Sequence, residues 1–365
     1  MTIITKTIDI GGKALILETG RIAKQANGAI FATLGGSTVL ATACSTNKNK
    51  VGAPFFPLSC DYQERFYAAG RIPGSYFRRE GRQTEKETLV SRMIDRPARP
   101  LFPKGFMAET QVIATAMSYD RVNDTDVVAM AASFAAIAIS NIPWDGPVGA
   151  LRVCRVDGAF VANPTFEERA NAEFELVVAV GPKGVVMVEG EAKFVAESLI
   201  IDGLMFAQEA AAPLMAAVRE MQAELGVAKA AFVSPQPDAE IVAAAREVAY
   251  DKMAVATAIP TKIERHIAVD KVKADAVVAL ADRFPGREGE IKSAVGAFKS
   301  EICREQILST GKRIDGRSTD TVRPITIELG ILPRAHGSVL FTRGETQAIV
   351  AITLGTTGDD QRMEY

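Results

Sequence analysis

One motif occurs near both ends of this 365-residue chain, and this repeat constrains the fold more than any other feature. The first copy reads ETGRIAK from Glu18 and GAIFATLGGSTVLATA from Gly28; the second reads ELGILPR from Glu328 and GSVLFTRGETQAIVAI from Gly337. Each copy has Glu-x-Gly, a basic residue four positions after that glycine, and two apolar strands joined by a glycine-containing turn. The register shifts by one residue inside the repeat, and the separation is far longer than a solenoid unit. The repeat therefore predicts a duplicated domain with an insert between its copies.

The runs of apolar residues after the first copy predict alternating strands and helices. Gly35-Gly36 is typical of a hairpin turn, while Thr84 and Glu87 have the spacing of a capping box and Pro97 ends the predicted helix. An alanine-rich segment at Val127–Ser140 predicts a buried helix. The predicted strands are Ala14–Leu17, Ala29–Leu34, Thr38–Ala43, Val112–Met117, Gly149–Val153, Leu176–Val180 and Val185–Glu189.

The insert is rich in Ala, Glu and Lys and has helical periodicity. Its predicted helices are Ala207–Leu225, Ala239–Ala256 and Val272–Asp282. The predicted fold is mixed α/β (α+β), with a first domain at 1–205, an all-helical domain at 206–308 and the start of the second copy at 309–365. The chain stops soon after a predicted strand at Ala348–Leu354. Because a lone hairpin cannot bury its apolar face, we expect the chain to be part of a longer protein.

Composition excludes several classes of protein. The chain is 48% hydrophobic and 24% charged with a net charge of −2, which is typical of a globular protein and atypical of a polybasic one. We expect no membrane partner, because no apolar run reaches the ~18 residues of a membrane span and the N-terminus does not resemble a signal peptide. The four cysteines are scattered without a CxxC pair, and there are only two histidines, which disfavours a zinc site or a disulfide framework and favours a location in the reducing cytoplasm.

The stretch from Arg71 to Arg99 has the strongest functional signal. It reads RIPGSYFRREGRQTEKETLVSRMIDRPAR and contains seven arginines in a chain that is otherwise nearly neutral. Tyr76 and Phe77 directly precede Arg78 and Arg79. Aromatic rings can stack on unpaired bases, and guanidinium groups bind phosphate oxygens two at a time. This combination predicts a contact with single-stranded nucleic acid.

Six stretches of the chain closely resemble the bacterial polynucleotide phosphorylase family. They are ETGRIAKQANGAI, AGRIPGSYFRREGRQTEKETLVSRMIDRPARPLFPKGF, NIPWDGPVGALRV, MVEGEAKF, RIDGRSTDTVRPI and RAHGSVLFTRGETQAIV, in the family's order. The resemblance implies two RNase PH-like domains per subunit, joined by an all-helical domain. It also implies a homotrimeric ring with a central channel for single-stranded RNA. The implied activity is degradation of RNA from its 3′ end by inorganic phosphate, with release of nucleoside diphosphates and reversible polymerisation.

The resemblance assigns RNA-binding roles to six residues. The aromatic-aromatic-Arg-Arg loop of the family falls on Tyr76, Phe77, Arg78 and Arg79, which would line the constriction of the channel. Arg92 and Arg96 match the helix arginines that approach RNA phosphates near the catalytic centre. Their spacing supports the match independently, because residues four apart share one face of a helix and this face differs from the apolar one.

The resemblance places the chemistry outside this chain. The family's phosphate-binding serine cluster and its magnesium-binding acidic residues lie further into the second RNase PH-like domain. No Gly-Ser-Ser-Ser run occurs here, and the segment Asp124–Ser140, which would correspond by duplication, has no serine cluster. We therefore expect no catalytic residue and no metal ligand within the chain, and Mg²⁺ held by downstream residues. The covered segment alone should be inactive.

Simpler interpretations of the same residues remain open. The loop Tyr76–Arg79 could be an ordinary solvated loop, and Arg92 and Arg96 could pair with Glu85 or Glu87 when RNA is absent. One or more of the other arginines of the stretch (Arg71, Arg82 and Arg99) should tie down the long loop. His336 is expected to be a structural turn residue, and Asp359-Asp360 a solvated pair because adjacent acids on a strand point to opposite faces.

Two classes of function fit the sequence. The first is the N-terminal part of a phosphate-dependent exoribonuclease (a polyribonucleotide nucleotidyltransferase) acting in RNA processing and mRNA degradation. Members of that family often associate with an RNA-degrading endonuclease complex. The alternative is a non-catalytic RNA-binding ring subunit of an exosome-like assembly. A serine cluster followed by paired aspartates downstream would distinguish the enzyme, which is the interpretation we favour.

Overall fold

The computed structural model of the chain describes residues 2–50, 55–74 and 76–359. The chain divides into two compact units, Met1–Pro235 and Gln236–Tyr365. The strands of the first unit are β1 (Ile4–Ile10), β2 (Lys13–Thr19), β3 (Gly28–Leu34), β4 (Ser37–Asn49), β5 (Leu58–Glu64), β6 (Ala108–Ser118), β7 (Gly149–Val156), β8 (Ala159–Ala162), β9 (Phe174–Gly181) and β10 (Gly184–Ala192). Its helices are α1 (Glu85–Ala98), α2 (Thr125–Ile139), α3 (Phe166–Ala170) and α4 (Glu197–Leu225). Short 3-10 turns lie at Phe66–Ala69 and Arg99–Leu101.

The first unit contains two sheets with a buried helix between them. The larger sheet has the order β1-β2-β3-β4-β6-β5, with β5 parallel to β6 and the other pairs antiparallel. The smaller sheet has the order β10-β9-β7-β8 and is antiparallel. Every residue of α2 is buried, because α2 packs against β3, β4 and β6 of one sheet and β7 of the other. This explains its alanine-rich sequence, in which no face is polar.

Gly28, the first residue of β3, lets α2 approach the larger sheet closely. A Cβ atom at this position would lie 2.1 Å from the carbonyl oxygen of Ala136 in α2. That oxygen belongs to the backbone, so a larger residue at position 28 would require the helix to move. Gly28 is therefore needed for the packing of α2 on the larger sheet.

The predicted hairpin turn at Gly35-Gly36 is confirmed, and Asp120 holds it in place. Gly35 has φ +60°, which favours glycine. The Asp120 carboxylate accepts hydrogen bonds from the Gly36 amide at 2.9 Å, the Ser37 hydroxyl at 3.0 Å and the Asn123 amide at 2.8 Å. One side chain thus joins the β3–β4 turn to the segment that leads into α2.

Asp120→Asn should lower the free energy of unfolding by about 1–2 kcal/mol at neutral pH, because it removes a charged hydrogen-bond acceptor. Burial alone would raise the pKa of Asp120, but the amides of Asn123, Val122 and Gly36 outweigh it and lower the pKa from 3.8 to about 2. The stabilisation is therefore complete above about pH 4 and is lost as the pH falls through about 2. Urea denaturation at a series of pH values should show the difference between variant and wild type shrinking across that window. A constant difference would contradict this account.

Helix α4 spans the predicted domain boundary between residues 205 and 206. Its residues Ala207, Ala211, Leu214 and Val218 are buried in the core of the first unit, where the helix packs against β1 and β7. The division between the compact units consequently lies at Pro235. Among the described residues, α4 alone is long and apolar enough to cross a membrane, with a mean hydropathy of 1.3. Its buried apolar residues, however, pack against β1 and β7.

The second unit consists of three helices and a small sheet. The helices are α5 (Ala239–Thr257), α6 (Lys262–Leu280) and α7 (Glu288–Thr310). They share a core that includes Ile241, Met253, Val269, Ile291 and Phe298. The antiparallel sheet has the order β11 (Ile325–Leu329), β12 (Gly337–Arg343) and β13 (Thr346–Ile352). The predicted boundary between residues 308 and 309 lies two residues before the end of α7.

The two copies of the repeat fold alike but differ in burial. Strands β2-β3-β4 and β11-β12-β13 are both antiparallel meanders, and their last turns contain Gly35 and Gly344 with φ of +60° and +61°. All described residues of β11 and β13 are exposed, whereas β3 is largely buried beneath α2. A Cβ at Gly337, the counterpart of Gly28, would have its nearest neighbour at 3.8 Å.

Candidate nucleic-acid interface

The loop before α1 exposes two large aromatic side chains. Tyr76 is 93% exposed and Phe77 is 77% exposed. Their rings meet edge to face, with centroids 5.3 Å apart and an interplanar angle of 84°. Large aromatic rings with so little burial contribute little to the core, so both are free to stack on a ligand.

The two arginines that follow are also exposed. Arg78 has φ +52°, an uncommon conformation for a residue with a side chain, and Arg79 donates a hydrogen bond to the Arg78 carbonyl at 3.2 Å. Neither guanidinium forms an ion pair with a residue that the structure describes. The loop therefore offers two positive charges directly beside two aromatic faces, as the sequence predicts.

Hydrogen bonds fix both ends of this loop. At its start the Arg71 amide donates to the Phe66 carbonyl at 3.0 Å, and near its end the Glu80 carboxylate accepts from the Phe66 amide at 3.2 Å. The predicted capping box is confirmed: the Thr84 hydroxyl and the Glu87 carboxylate each accept from the other residue's amide, at 3.1 and 2.6 Å. The apex of the loop thus projects from a fixed base.

Helix α1 separates an apolar face from a basic one. Val90, Ile94 and Ala98 are buried, while Arg92 and Arg96 are exposed on another side of the helix. The predicted common exposure of the two arginines is thus observed. Neither suggested ion-pair partner is found. Glu87 is occupied by the capping box and by the Glu64 amide at 2.7 Å, and no ion pair among the described residues joins Glu85 to either arginine. Arg96 pairs instead with Glu189 of β10.

Arg99 has a structural role at the other end of α1. Its guanidinium pairs with Asp95 and donates to the carbonyls of Phe56 and Leu58, both at 3.1 Å. It also lies over the Phe56 ring, 5.6 Å from the centroid. This arginine therefore ties the segment that enters β5 to the end of the helix, and is not available for a ligand.

A partly buried ionic cluster lies beneath the start of α1. Its members are Glu64, Lys86, Asp124, Asp126, Arg152, Arg169 and Glu175, which come from β5, α1, the start of α2, β7, α3 and β9. Lys86 pairs with Glu64 at 2.8 Å and Asp124 at 3.1 Å. Arg152 pairs with Asp126 and Glu175, and Arg169 with Asp124 at 2.8 Å. The cluster thus anchors the helix that carries Arg92 and Arg96 to both sheets.

The cluster perturbs the pKa of its own members. Burial opposes ionisation of Asp124, but the charges of Lys86 and Arg152 outweigh it and lower the pKa of that carboxyl. Burial, reinforced by the neighbouring Asp124, raises the pKa of Asp126. Burial would lower the pKa of Lys86, yet its two carboxylate partners raise it above the ordinary value. The carboxylates are already satisfied by cationic side chains, so they do not fit a Mg²⁺ site, which needs free oxygen ligands.

Other candidate residues have structural partners. His336 Nδ1 accepts a hydrogen bond from the Leu354 amide at 3.1 Å, in agreement with a turn role. Asp359 accepts from the amide and the hydroxyl of Thr356, both at 2.8 Å, and Asp360 lies outside the described residues. Within the part of the chain that the structure describes, no group of three or more His, Cys, Asp or Glu side chains is arranged to hold a metal ion.

The sequence interpretation missed the ionic cluster and Glu189. The position of Lys86 could have predicted acidic partners, because a lysine in the first turn of a helix is unfavourable next to the helix dipole unless acids lie nearby. The pairing of Glu189 with Arg96 could not have been predicted, because the two residues are 93 positions apart in sequence and only the fold brings them into contact.

Comparisons with protein families cover most of the chain. The model described as "3' exoribonuclease family, domain 1" matches residues 11–143 and again 321–364, that is, both copies of the repeat. The model of domain 2 of the same family matches residues 146–210. The model described as "Polyribonucleotide nucleotidyltransferase, RNA binding domain" matches residues 240–318, which include α6, α7 and all but the first residue of α5.

Curated relatives agree with the family models. Proteins named polyribonucleotide nucleotidyltransferase from Syntrophotalea carbinolica, Geotalea uraniireducens and Anaeromyxobacter dehalogenans are 48%, 46% and 47% identical over 97%, 98% and 100% of this chain. The chain spans about half the length of these relatives, covering 50%, 51% and 52% of them. Among solved structures, rice (Oryza sativa) Rrp46 is 12% identical with a TM-score of 0.46, covering 61% of this chain and 94% of that one, a likeness too weak to support a conclusion. The chain therefore belongs to the 3′ exoribonuclease family, and it matches the N-terminal half of that family's polyribonucleotide nucleotidyltransferases.

Proposed function

We propose that the protein to which this chain belongs is a phosphate-dependent 3′-to-5′ exoribonuclease that degrades single-stranded RNA to nucleoside diphosphates. The observation that carries this proposal is the exposed loop with Tyr76, Phe77, Arg78 and Arg79, which is fixed at both ends and directly precedes α1. Aromatic faces accept bases of any sequence, and adjacent guanidinium groups accept the phosphates between them. The relatives' name, polyribonucleotide nucleotidyltransferase, supports the same activity.

In this proposal the chain binds and orients RNA. Tyr76 and Phe77 stack on bases and Arg78 and Arg79 neutralise the backbone, while Arg92 and Arg96 hold phosphates closer to the 3′ end. An oxygen of inorganic phosphate attacks the last internucleotide phosphorus, and the bond from phosphorus to the 3′ oxygen of the preceding nucleotide breaks. That oxygen takes up a proton and becomes the 3′ hydroxyl of the shortened RNA, while the terminal nucleotide is released as a nucleoside diphosphate. Cationic groups are needed because both reactants are anions. The arginines supply part of that charge.

The remaining parts of the machinery are proposed to lie outside this chain. Downstream residues would hold Mg²⁺ and the attacking phosphate, since the carboxylates of the ionic cluster are already paired. The subunits would assemble as a cytoplasmic homotrimer with no membrane partner, acting in RNA processing and mRNA degradation, with an RNA-degrading endonuclease complex as a further partner. The chain by itself would be inactive.

The test is an assay of the full-length protein on single-stranded RNA that carries a radiolabelled 3′-terminal nucleotide. Labelled nucleoside diphosphate that forms only when inorganic phosphate and magnesium are present is the expected result. Release of a monophosphate without phosphate would contradict the proposal by indicating a hydrolase. Binding without any product would favour the non-catalytic ring subunit of an exosome-like assembly. Chain 1–365 alone should release no diphosphate.

A further inference from the structure

The two arginines of the basic face of α1 differ in what they contact. Arg96 pairs with the Glu189 carboxylate of β10, and its other terminal nitrogen donates to the Val188 carbonyl at 3.4 Å. Arg92, one helical turn earlier, is exposed and forms no ion pair with a described residue. One of the two guanidinium groups assigned to RNA is therefore occupied by an internal anion.

The Glu189 carboxylate resembles an RNA phosphate in the way that it binds an arginine. A carboxylate and a phosphate both offer two oxygens to the fork of a guanidinium group, so one arginine cannot serve both fully. The pair is half exposed, with 47% of the Arg96 side chain and 53% of the Glu189 side chain accessible. Exposed pairs of this kind are weak, so an incoming polyanion can displace the carboxylate.

We propose that Glu189 is a competitor for Arg96 that must be displaced when RNA binds, and thus sets the affinity and ligand preference of this part of the interface. The proposal rests on the proposed function and extends it to a residue on another element. In the absence of RNA, Glu189 and the Val188 carbonyl hold the Arg96 side chain along β10. A strand with several phosphates can replace that contact, whereas a small isolated anion gains too little from neighbouring groups to do so.

The test compares Glu189→Gln with Glu191→Gln in the full-length protein. Glu191 is exposed, lies two residues further along β10 and thus on the same side of the strand, and loses the same charge when substituted. Binding of a fluorescently labelled oligoadenylate is measured by anisotropy at low salt. Glu189→Gln should tighten binding roughly two- to fivefold, the size expected for release of one exposed ion pair. Glu191→Gln should change the affinity for the oligoadenylate by a clearly smaller factor than Glu189→Gln does.

A double-mutant cycle with Arg96→Gln isolates the pair. Adding Glu189→Gln to Arg96→Gln should give no gain in affinity, because the competitor acts through that arginine. Equal gains from Glu189→Gln and Glu191→Gln, or a gain that persists without Arg96, would overturn the proposal in favour of a general field effect. Weaker binding by Glu189→Gln would also overturn it, since Glu189 would then orient Arg96 for RNA. Unchanged binding by the variant that combines Arg78→Gln with Arg79→Gln would be a separate failure: it would remove the observation that carries the proposed function, whatever Glu189→Gln did.

Discussion

Replacement of Arg152 by methionine should lower the free energy of unfolding of the first unit by about 3–5 kcal/mol, the usual loss when one partner of a buried ion pair is removed. Arg152 is only 4% exposed and faces Asp126 and Glu175, with Asp124 at 3.7 Å. Methionine has nearly the same length, so the loss measures charge and not a cavity. Chemical denaturation followed by circular dichroism provides the measurement.

The matched control for this variant is Arg155→Met. Arg155 lies on the same strand and pairs with Glu173, but that pair is partly exposed, so the expected loss is below about 1 kcal/mol. The difference between Arg152→Met and wild type should shrink as the pH falls, because the pKa of Asp126 is raised by burial and its protonation removes one uncompensated charge. Equal losses in the two variants would show that the ionic cluster does not anchor this unit.

Arg78→Gln combined with Arg79→Gln should weaken binding of single-stranded RNA about 10- to 100-fold at low salt, because two phosphate contacts are lost. The slope of log affinity against log salt should fall by about 1.4, since each neutralised phosphate of a single strand contributes about 0.7. The fold should be unaffected, because both side chains are exposed and neither pairs with a described residue. Filter binding at several salt concentrations measures both quantities.

Substitution of the neighbouring aromatics separates stacking from charge. Tyr76→Leu with Phe77→Leu should also weaken binding, by about 1–3 kcal/mol for each base that loses its stacking partner, but should leave the salt slope unchanged. If the arginine variant kept the wild-type slope, the loop would not contact phosphates. If both variants bound RNA like the wild type, the loop would be an ordinary solvated one.

Much of the fold could be predicted from patterns among residues that are close together in the sequence. The capping box at Thr84, the Gly35 turn and the repeat all depend on residues a few positions apart, and each is found as predicted. The helix predicted to end at Pro97 ends one residue later. Strands β1, β5, β8 and β11 and helices α3 and α7 were not predicted. Two of these elements nevertheless have a clear period: the isoleucines of β1 lie on one face of the strand, and the buried residues of α7 recur at helical spacing (Ile291, Ala294, Val295 and Phe298).

Features that depend on distant contacts could not be predicted. Helix α4 has the alanine-rich composition of the insert, but Ala211 packs against Gly149 of β7, so the helix belongs to the first unit. The ionic cluster brings six elements together, and nothing in the spacing of its residues indicates that they meet. The exposed loop, in contrast, is specified by neighbours in sequence, which is why Tyr76 to Arg79 were identified without a structure.

The exposed sheet of the second unit has a consequence for local stability. In a polypeptide of residues 1–365, β11 and β13 are exposed and gain little from burial, so opening of β11, β12 and β13 should require only a small fraction of the free energy needed to unfold the first unit. Nearly the same motif is protected in β3, where α2 approaches Gly28, whereas in β12 a Cβ at Gly337 would have its nearest neighbour at 3.8 Å. In the 1–365 polypeptide, backbone amides of the second copy should thus exchange with solvent through local opening, and faster than those of β3.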